Sequence, residues 1–227
     1  MAKMMAGETT RHDIYEDLAR VRAPQQERSR RAFKAALEAF EALLRERPLA
    51  QVTMQEVADR AGLSITSVYA RFDGKFALVL ALHERVIATA MEQLEAALAD
   101  PTLVDAPLEH VVAVIVARAV DFADANAHVL RAVLVASDGE TNERAAAFIR
   151  AGSERIGHVL APRLADVSAA PERDVDFAWR STVAVLQQGW MLWGAEPSRF
   201  PLGRQELAQR LATSFVSALH THRPPGA

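Results

Sequence analysis

The chain has 227 residues, half of them hydrophobic, with 26 lysines and arginines against 29 aspartates and glutamates and a net charge of −3. That length and composition suit one large or two small domains with a real core. There is no cysteine, which excludes disulfides, thiolate zinc sites and thiol redox chemistry. The longest purely apolar run, residues 111–117, is far short of the roughly 20 residues of a spanning helix.

Residues 1–24 read as a flexible tail, and their opening stretch carries charges but no apolar leader run, so a soluble, cytoplasmic protein with no membrane partner is expected. Charge is unevenly spread. Residues 1–75 hold 13 lysines and arginines against 11 acidic residues, whereas residues 76–227 hold 13 against 18. Between positions 20 and 34, Arg20, Arg22, Arg28, Arg30, Arg31 and Lys34 face Glu27 alone. A local basic patch on an acidic body fits an anion-binding module joined to something else; a solvated helix face fits it too.

From Gln25 to Arg47 the residues Phe33, Leu37, Phe40 and Leu44 recur at three- and four-residue spacing, as on one face of a helix. Pro48 ends it. Thr53 followed by Glu56 forms a capping box, flanked by Val52 and Val57 at the staple positions, so a short helix is predicted from Thr53 to about Arg60. Ala61-Gly62 supplies a turn. Ser64 caps a second short helix through about Phe72, Asp73-Gly74 breaks it, and a long helix follows over about 75–99. The expected core of this unit is Phe33, Leu37, Phe40, Val57, Ala58, Leu63, Val68 and Phe72. Beyond Asp100-Pro101, helices are predicted near 107–124, 126–137, 141–165, 172–194 and 203–220, separated by proline and glycine clusters. No alternating strand pattern of useful length interrupts them. Residues 223–227 form a second tail.

Two short helices joined by a glycine-bearing turn match a helix-turn-helix, in which the second helix enters the major groove and the first braces it. On that second helix Ser64, Thr66, Ser67, Tyr69 and Arg71 point away from Val68 and Phe72. Hydroxyls and tyrosine reach phosphates or base edges, and an arginine facing the groove reads guanine. Lys75, with the free N–H groups of the first turn of the long helix, forms an anion site. Thr53 is a cap alone, or a cap that also touches phosphate on the other side. Among the arginines at 28, 30 and 31, Arg28 is the candidate for a backbone contact.

The run "TMQEVADRAGLS" (53–64), followed by "VYARFDGKFALV" (68–79) and preceded by Phe40, resembles the DNA-binding domain of TetR-family transcriptional regulators. The pattern is a threonine-capped helix, A-x-x-A-G-hydrophobic-S, then hydrophobic-Y-x-x-F-x-x-K-x-x-L. All of it is present over about a quarter of the chain. Thr66 departs from it, since the family usually has Gly or Ala there, so no operator sequence is carried over.

The resemblance implies an all-α protein with a three-helix head at 25–74 and an antiparallel helical ligand-binding and dimerisation domain at 75–222. In the family the last two long helices pair two subunits, and a ligand moves the long fourth helix. For the interface, Trp179, Val185, Gly189, Leu192, Leu211 and Phe215 are candidates; the stripe holding Trp179 equally fits intramolecular core. For an aromatic-lined pocket, Phe122, Phe148, Gln187 and Trp190 are candidates, with Arg118 and His158 as polar anchors, each also readable as ordinary core or surface.

No cofactor or metal is expected: the seven histidines are scattered, and His220 and His222 would diverge on a helix. No enzyme is expected either, since there is no nucleophile–base pairing or phosphate-cradling glycine loop, and Asp174 and Asp176 should diverge. The implied function is a homodimeric repressor that binds a near-palindromic operator in double-stranded DNA and is released by a small apolar or amphipathic effector. The alternative is an activator, or a DNA-binding regulator with no small-molecule inducer.

Overall fold

The computed structural model describes residues 15, 18, 20–22, 26–191 and 199–220, without the side chains at 190 and 191. Among these, every regular element is helical apart from one isolated antiparallel bridge between Val21 and Phe72. The helices are α1 (Glu27–Glu46), α2 (Met54–Ala61), α3 (Ile65–Tyr69), α4 (Lys75–Leu98), α5 (Leu108–Ala125), α6 (Ala127–Ala136), α7 (Gly139–Leu164), α8 (Pro171–Met191) and α9 (Arg204–Leu219). The chain divides into two compact units. One comprises Met1–Ala88 with His128–Thr141, the other Thr89–Ala127 with Asn142–Ala227. The division falls inside α4 and assigns α6 to the unit of α1–α3.

In the first unit α1 packs against α2 and α3, and α2 against α3. The expected core forms: Phe33, Leu37, Phe40, Val57, Ala58, Val68 and Phe72 are each at most 2% exposed, and Leu63 is half-buried. The capping box closes as predicted. The Glu56 N–H donates to Thr53 Oγ1 at 3.3 Å, and the Thr53 N–H donates to Glu56 Oε2 at 2.9 Å, so two otherwise orphaned donors are satisfied. Val52 and Val57 are both buried beneath it. Gly62 ends α2 with φ +65° and Gly74 turns into α4 with φ +81°. Both are left-handed positions that glycine takes without steric cost.

The expectation of a free tail over residues 1–24 is corrected where the chain is described. Tyr15, Leu18 and Val21 are buried. The Tyr15 ring lies 4.9 Å from Phe33, which lies 4.7 Å from Phe72. These apolar residues recur every three positions and cover core aromatics that would otherwise meet water.

In the second unit α9 packs against α5 and α8, and α5 against α8. Its core joins Val111, Val112, Ile115 and Val116 of α5 with Ile156 and Leu160 of α7, Val175 and Trp179 of α8, and Leu211 and Phe215 of α9. The Arg163 guanidinium holds the segment before α5, donating to the carbonyls of Leu103 at 2.5 Å, Val104 at 2.6 Å and Ala106 at 2.9 Å. Asp174 is buried in the first turn of α8, where it accepts from the Ser168 hydroxyl at 2.5 Å, while Asp176 pairs with Arg180 on the surface. The two carboxylates therefore diverge, as their spacing predicts. No helix among the described residues is long and apolar enough to cross a membrane.

Candidate nucleic-acid interface

The interface is built on α3, a helix of five residues. So short a helix does not hold itself in water, and its support is external. Ser64 caps its start by accepting the Ser67 N–H at 3.1 Å. Val68, fully buried, anchors its inner side. Ser64, Thr66 and Tyr69 are exposed on the outer side, Tyr69 by 51%. A phenol left half in water at that site contributes little to the core and is free to bond a phosphate or base edge.

The bracing helix α2 is fixed to α1 by two ion pairs. Arg60 donates to both carboxylate oxygens of Glu46, at 2.6 and 3.1 Å. Arg47 donates to Glu56 at 2.7 Å, so the residue that completes the capping box also ties it to the end of α1. These bonds hold Glu46 and Glu56 below the usual carboxylate range, chiefly through Arg60 for Glu46 and through Thr53 for Glu56. The Thr53 hydroxyl accepts from the Glu56 N–H and donates to its carboxylate at 2.8 Å. It is exposed, but its own hydrogen is spent.

Three predicted contacts, Lys75, Ser67 and Arg71, are engaged within the head itself. The Lys75 ammonium is half-buried and donates to the carbonyls of Leu49 at 2.9 Å and Val52 at 3.1 Å. Two of its three donors thus clamp the 3-10 turn Leu49–Gln51, leaving one for an anion. Arg71 folds back along α3, donating from Nη1 to the Ser67 carbonyl at 2.6 Å and hydroxyl at 2.9 Å. That engages Ser67 and Arg71 with each other. Arg28 is exposed in the first turn of α1.

Arg22, which lies in the basic run but was not expected at the site, stands beside α3. Its N–H donates to the Arg71 carbonyl at 2.9 Å and its Nη1 to the Ala70 carbonyl at 3.0 Å. The signal was present in the sequence as apolar residues at 15, 18 and 21 interleaved with arginines at 20 and 22.

The candidates of the second unit are scattered in burial. Trp179, Leu211 and Phe215 are at most 7% exposed and belong to that unit's own core. For Trp179 this is the core reading of its stripe; for Leu211 and Phe215 it corrects their expected place in a subunit interface, because a side chain buried within one chain has no area left for a second. Val185 and Gly189 are exposed. Leu192 lies outside the described residues, as does the Trp190 side chain. Phe122, Phe148 and Gln187 are half-buried, whereas Arg118 and His158, expected as inward anchors, are exposed. Among the described residues no group of three or more His, Asp or Glu is placed to hold a metal ion.

A family model described as bacterial regulatory proteins, tetR family, matches residues 36–82, from the middle of α1 into α4. No curated protein matches the chain. Among solved structures, a tetR-family transcriptional regulator from Streptomyces coelicolor is 21% identical over 86% of this chain and 81% of its own, with a TM-score of 0.59. A bacterial regulatory protein in the tetR family from Rhodococcus RHA1 is 18% identical over 88% of this chain and all of its own, also at 0.59. A regulator of the TetR/AcrR family from Thermobifida fusca is 16% identical over the same shares, at 0.59. At these identities the likeness is one of fold. Residues 36–82 thus match the tetR-family head, and the chain as a whole shares the fold of solved TetR-family transcriptional regulators.

Proposed function

We propose that the chain is a sequence-specific transcriptional regulator that binds DNA as a homodimer and represses until a small apolar or amphipathic ligand releases it. The observation that carries the DNA-binding reading is the pose of α3: Val68 buried on one side, Ser64, Thr66 and Tyr69 presented on the other. The head is 25–74, and the ligand-binding and dimerisation domain is 75–222. The exposed face of α8 supports the dimer. Phe177, Ser181, Val185 and Gly189 follow at four-residue steps along one side, Phe177 is 58% and Val185 44% exposed, and nothing lies within 4 Å of a Cβ built on Gly189. An apolar line with an open glycine permits close approach of a second helix.

In this reading two heads bind successive major grooves of a near-palindromic operator. A ligand that prefers the conformation with badly spaced heads shifts the equilibrium by its difference in affinity for the two states. No catalytic role is assigned. Selection of genomic fragments by the purified protein at two salt concentrations tests the proposal. A shared near-palindrome retained at the higher salt is expected. Fragments with no common sequence, lost at the higher salt, would reject sequence-specific regulation.

A further inference from the structure

α3 ends at Tyr69, so the carbonyls of Ala70 and Arg71 lie past its last turn, and Gly74 at φ +81° then turns the chain into α4. Residues 20–22 meet this end. Arg22 supplies two donors, its N–H to the Arg71 carbonyl and its Nη1 to the Ala70 carbonyl; the Asp73 N–H donates back to the Arg20 carbonyl at 3.1 Å; and Val21 bridges Phe72. Burial of Tyr15, Leu18 and Val21 fixes this short segment to the head. Its two arginines differ. Arg20 reaches Asp138 at 3.5 Å. The Arg22 side chain is exposed and its guanidinium bonds the Ala70 carbonyl through Nη1, so a group with five N–H donors keeps most of them toward solvent. It does so at the residue following Tyr69, whose side chain is 51% exposed.

We propose that Arg22 is a DNA-contacting residue, its guanidinium bridging the carbonyl at the end of α3 to a backbone phosphate of the bound duplex. The interface thus extends from α3 onto the segment before α1. A planar, permanently charged fork fits this double task, since one edge holds the carbonyl and the other pairs with phosphate oxygens. The inference rests on the DNA-binding reading above and adds a contact outside the helix-turn-helix.

The test compares the full-length chain with its Arg22→Gln and Arg22→Lys variants by fluorescence anisotropy. The probes are a duplex recovered by genomic selection and an unrelated duplex of equal length, across a salt series. Arg31→Gln serves as a control for general loss of charge, because Arg31 is exposed and already paired with Glu27. A phosphate contact predicts that Arg22→Gln weakens binding to both duplexes by a similar factor, about tenfold at low salt. It also predicts a salt slope shallower by about one, with Arg22→Lys restoring the slope. An unchanged slope overturns the proposal. So does a loss confined to the selected duplex, which would make Arg22 only a support for α3, or an equal slope change in Arg31→Gln. If Arg22→Gln lowers the unfolding midpoint, the salt slope of Arg22→Lys decides, and a slope like that of Arg22→Gln overturns the proposal. If the unaltered protein prefers no duplex yet Arg22 still sets the slope, the regulator reading fails and the contact stands.

Discussion

The imidazole Nε2 of His128, on α6, lies 3.2 Å from the Glu41 carboxylate on α1. A carboxylate has no hydrogen to give, so the ring donates. Glu41 also accepts from Arg45, at 2.6 Å, and from Arg85 on α4. One half-buried carboxylate thus ties α1 to the first half of α4 and to α6, which explains why α6 is compact with the head although more than 80 residues separate Glu41 from His128.

The His128 bond first, and then the charges of Arg85 and Arg45, outweigh burial and lower the Glu41 carboxyl from 4.5 to about 2. A group held lower in the folded state stabilises it above the unfolded value and loses that contribution as pH falls through the folded one. Glu41 therefore contributes on the order of 3 kcal/mol at neutral pH, lost between about pH 4.5 and 2. Thermal unfolding of the protein and of Glu41→Gln across pH 7 to 2 checks this. The gap in midpoint should be full above pH 5 and close toward pH 2; a gap independent of pH would show that the carboxylate charge is not what holds these helices.

Neighbouring residues of α3 should separate stability from binding. Val68→Ala empties a fully buried position and is expected to cost about 2 kcal/mol. Tyr69→Ala, at a half-exposed position, should leave stability within about 0.5 kcal/mol and weaken DNA binding at least about tenfold through a lost contact. Denaturant unfolding and anisotropy on both variants distinguish the two effects. Equal binding losses after correcting for the unfolded fraction would show that Tyr69 makes no special contact.

Lys75→Ala should destabilise the head. It removes two charge-assisted bonds to the Leu49 and Val52 carbonyls, an expected cost of about 2 kcal/mol. The readout is the unfolding midpoint without DNA. An unchanged midpoint with lost DNA binding would return Lys75 to a purely phosphate-binding role.

Gly152→Ala probes the second unit. A Cβ there would meet Trp179 Nε1 at 3.0 Å, against an indole that is 6% exposed. Overpacking of this kind costs roughly 1–3 kcal/mol. A lower unfolding midpoint and altered tryptophan fluorescence are expected, and an unperturbed spectrum would place the ring elsewhere.

Much of the fold was legible because its signals are local. Pro48, the Thr53–Glu56 box, Gly62 and Asp73-Gly74 each act within a few residues, and the helices they bound begin and end within a few positions of expectation. What was not legible depends on distant pairing. Val21 meets Phe72, Lys75 reaches back to Leu49, and His128 reaches Glu41; no spacing rule encodes such partners. Trp179 posed a different problem, since a helix stripe has one periodicity whether it faces its own core or a second subunit. Only its burial among Ile156, Leu160 and Phe215 separates the two.

In the proposed function the exposed side of α3 reads DNA sequence. The most direct measurement is the affinity of the full-length chain for a genomically selected duplex and for an unrelated duplex of equal length, at one moderate salt concentration. The selected duplex is expected to bind at least about a thousandfold more tightly. Equal affinity for the two would contradict it.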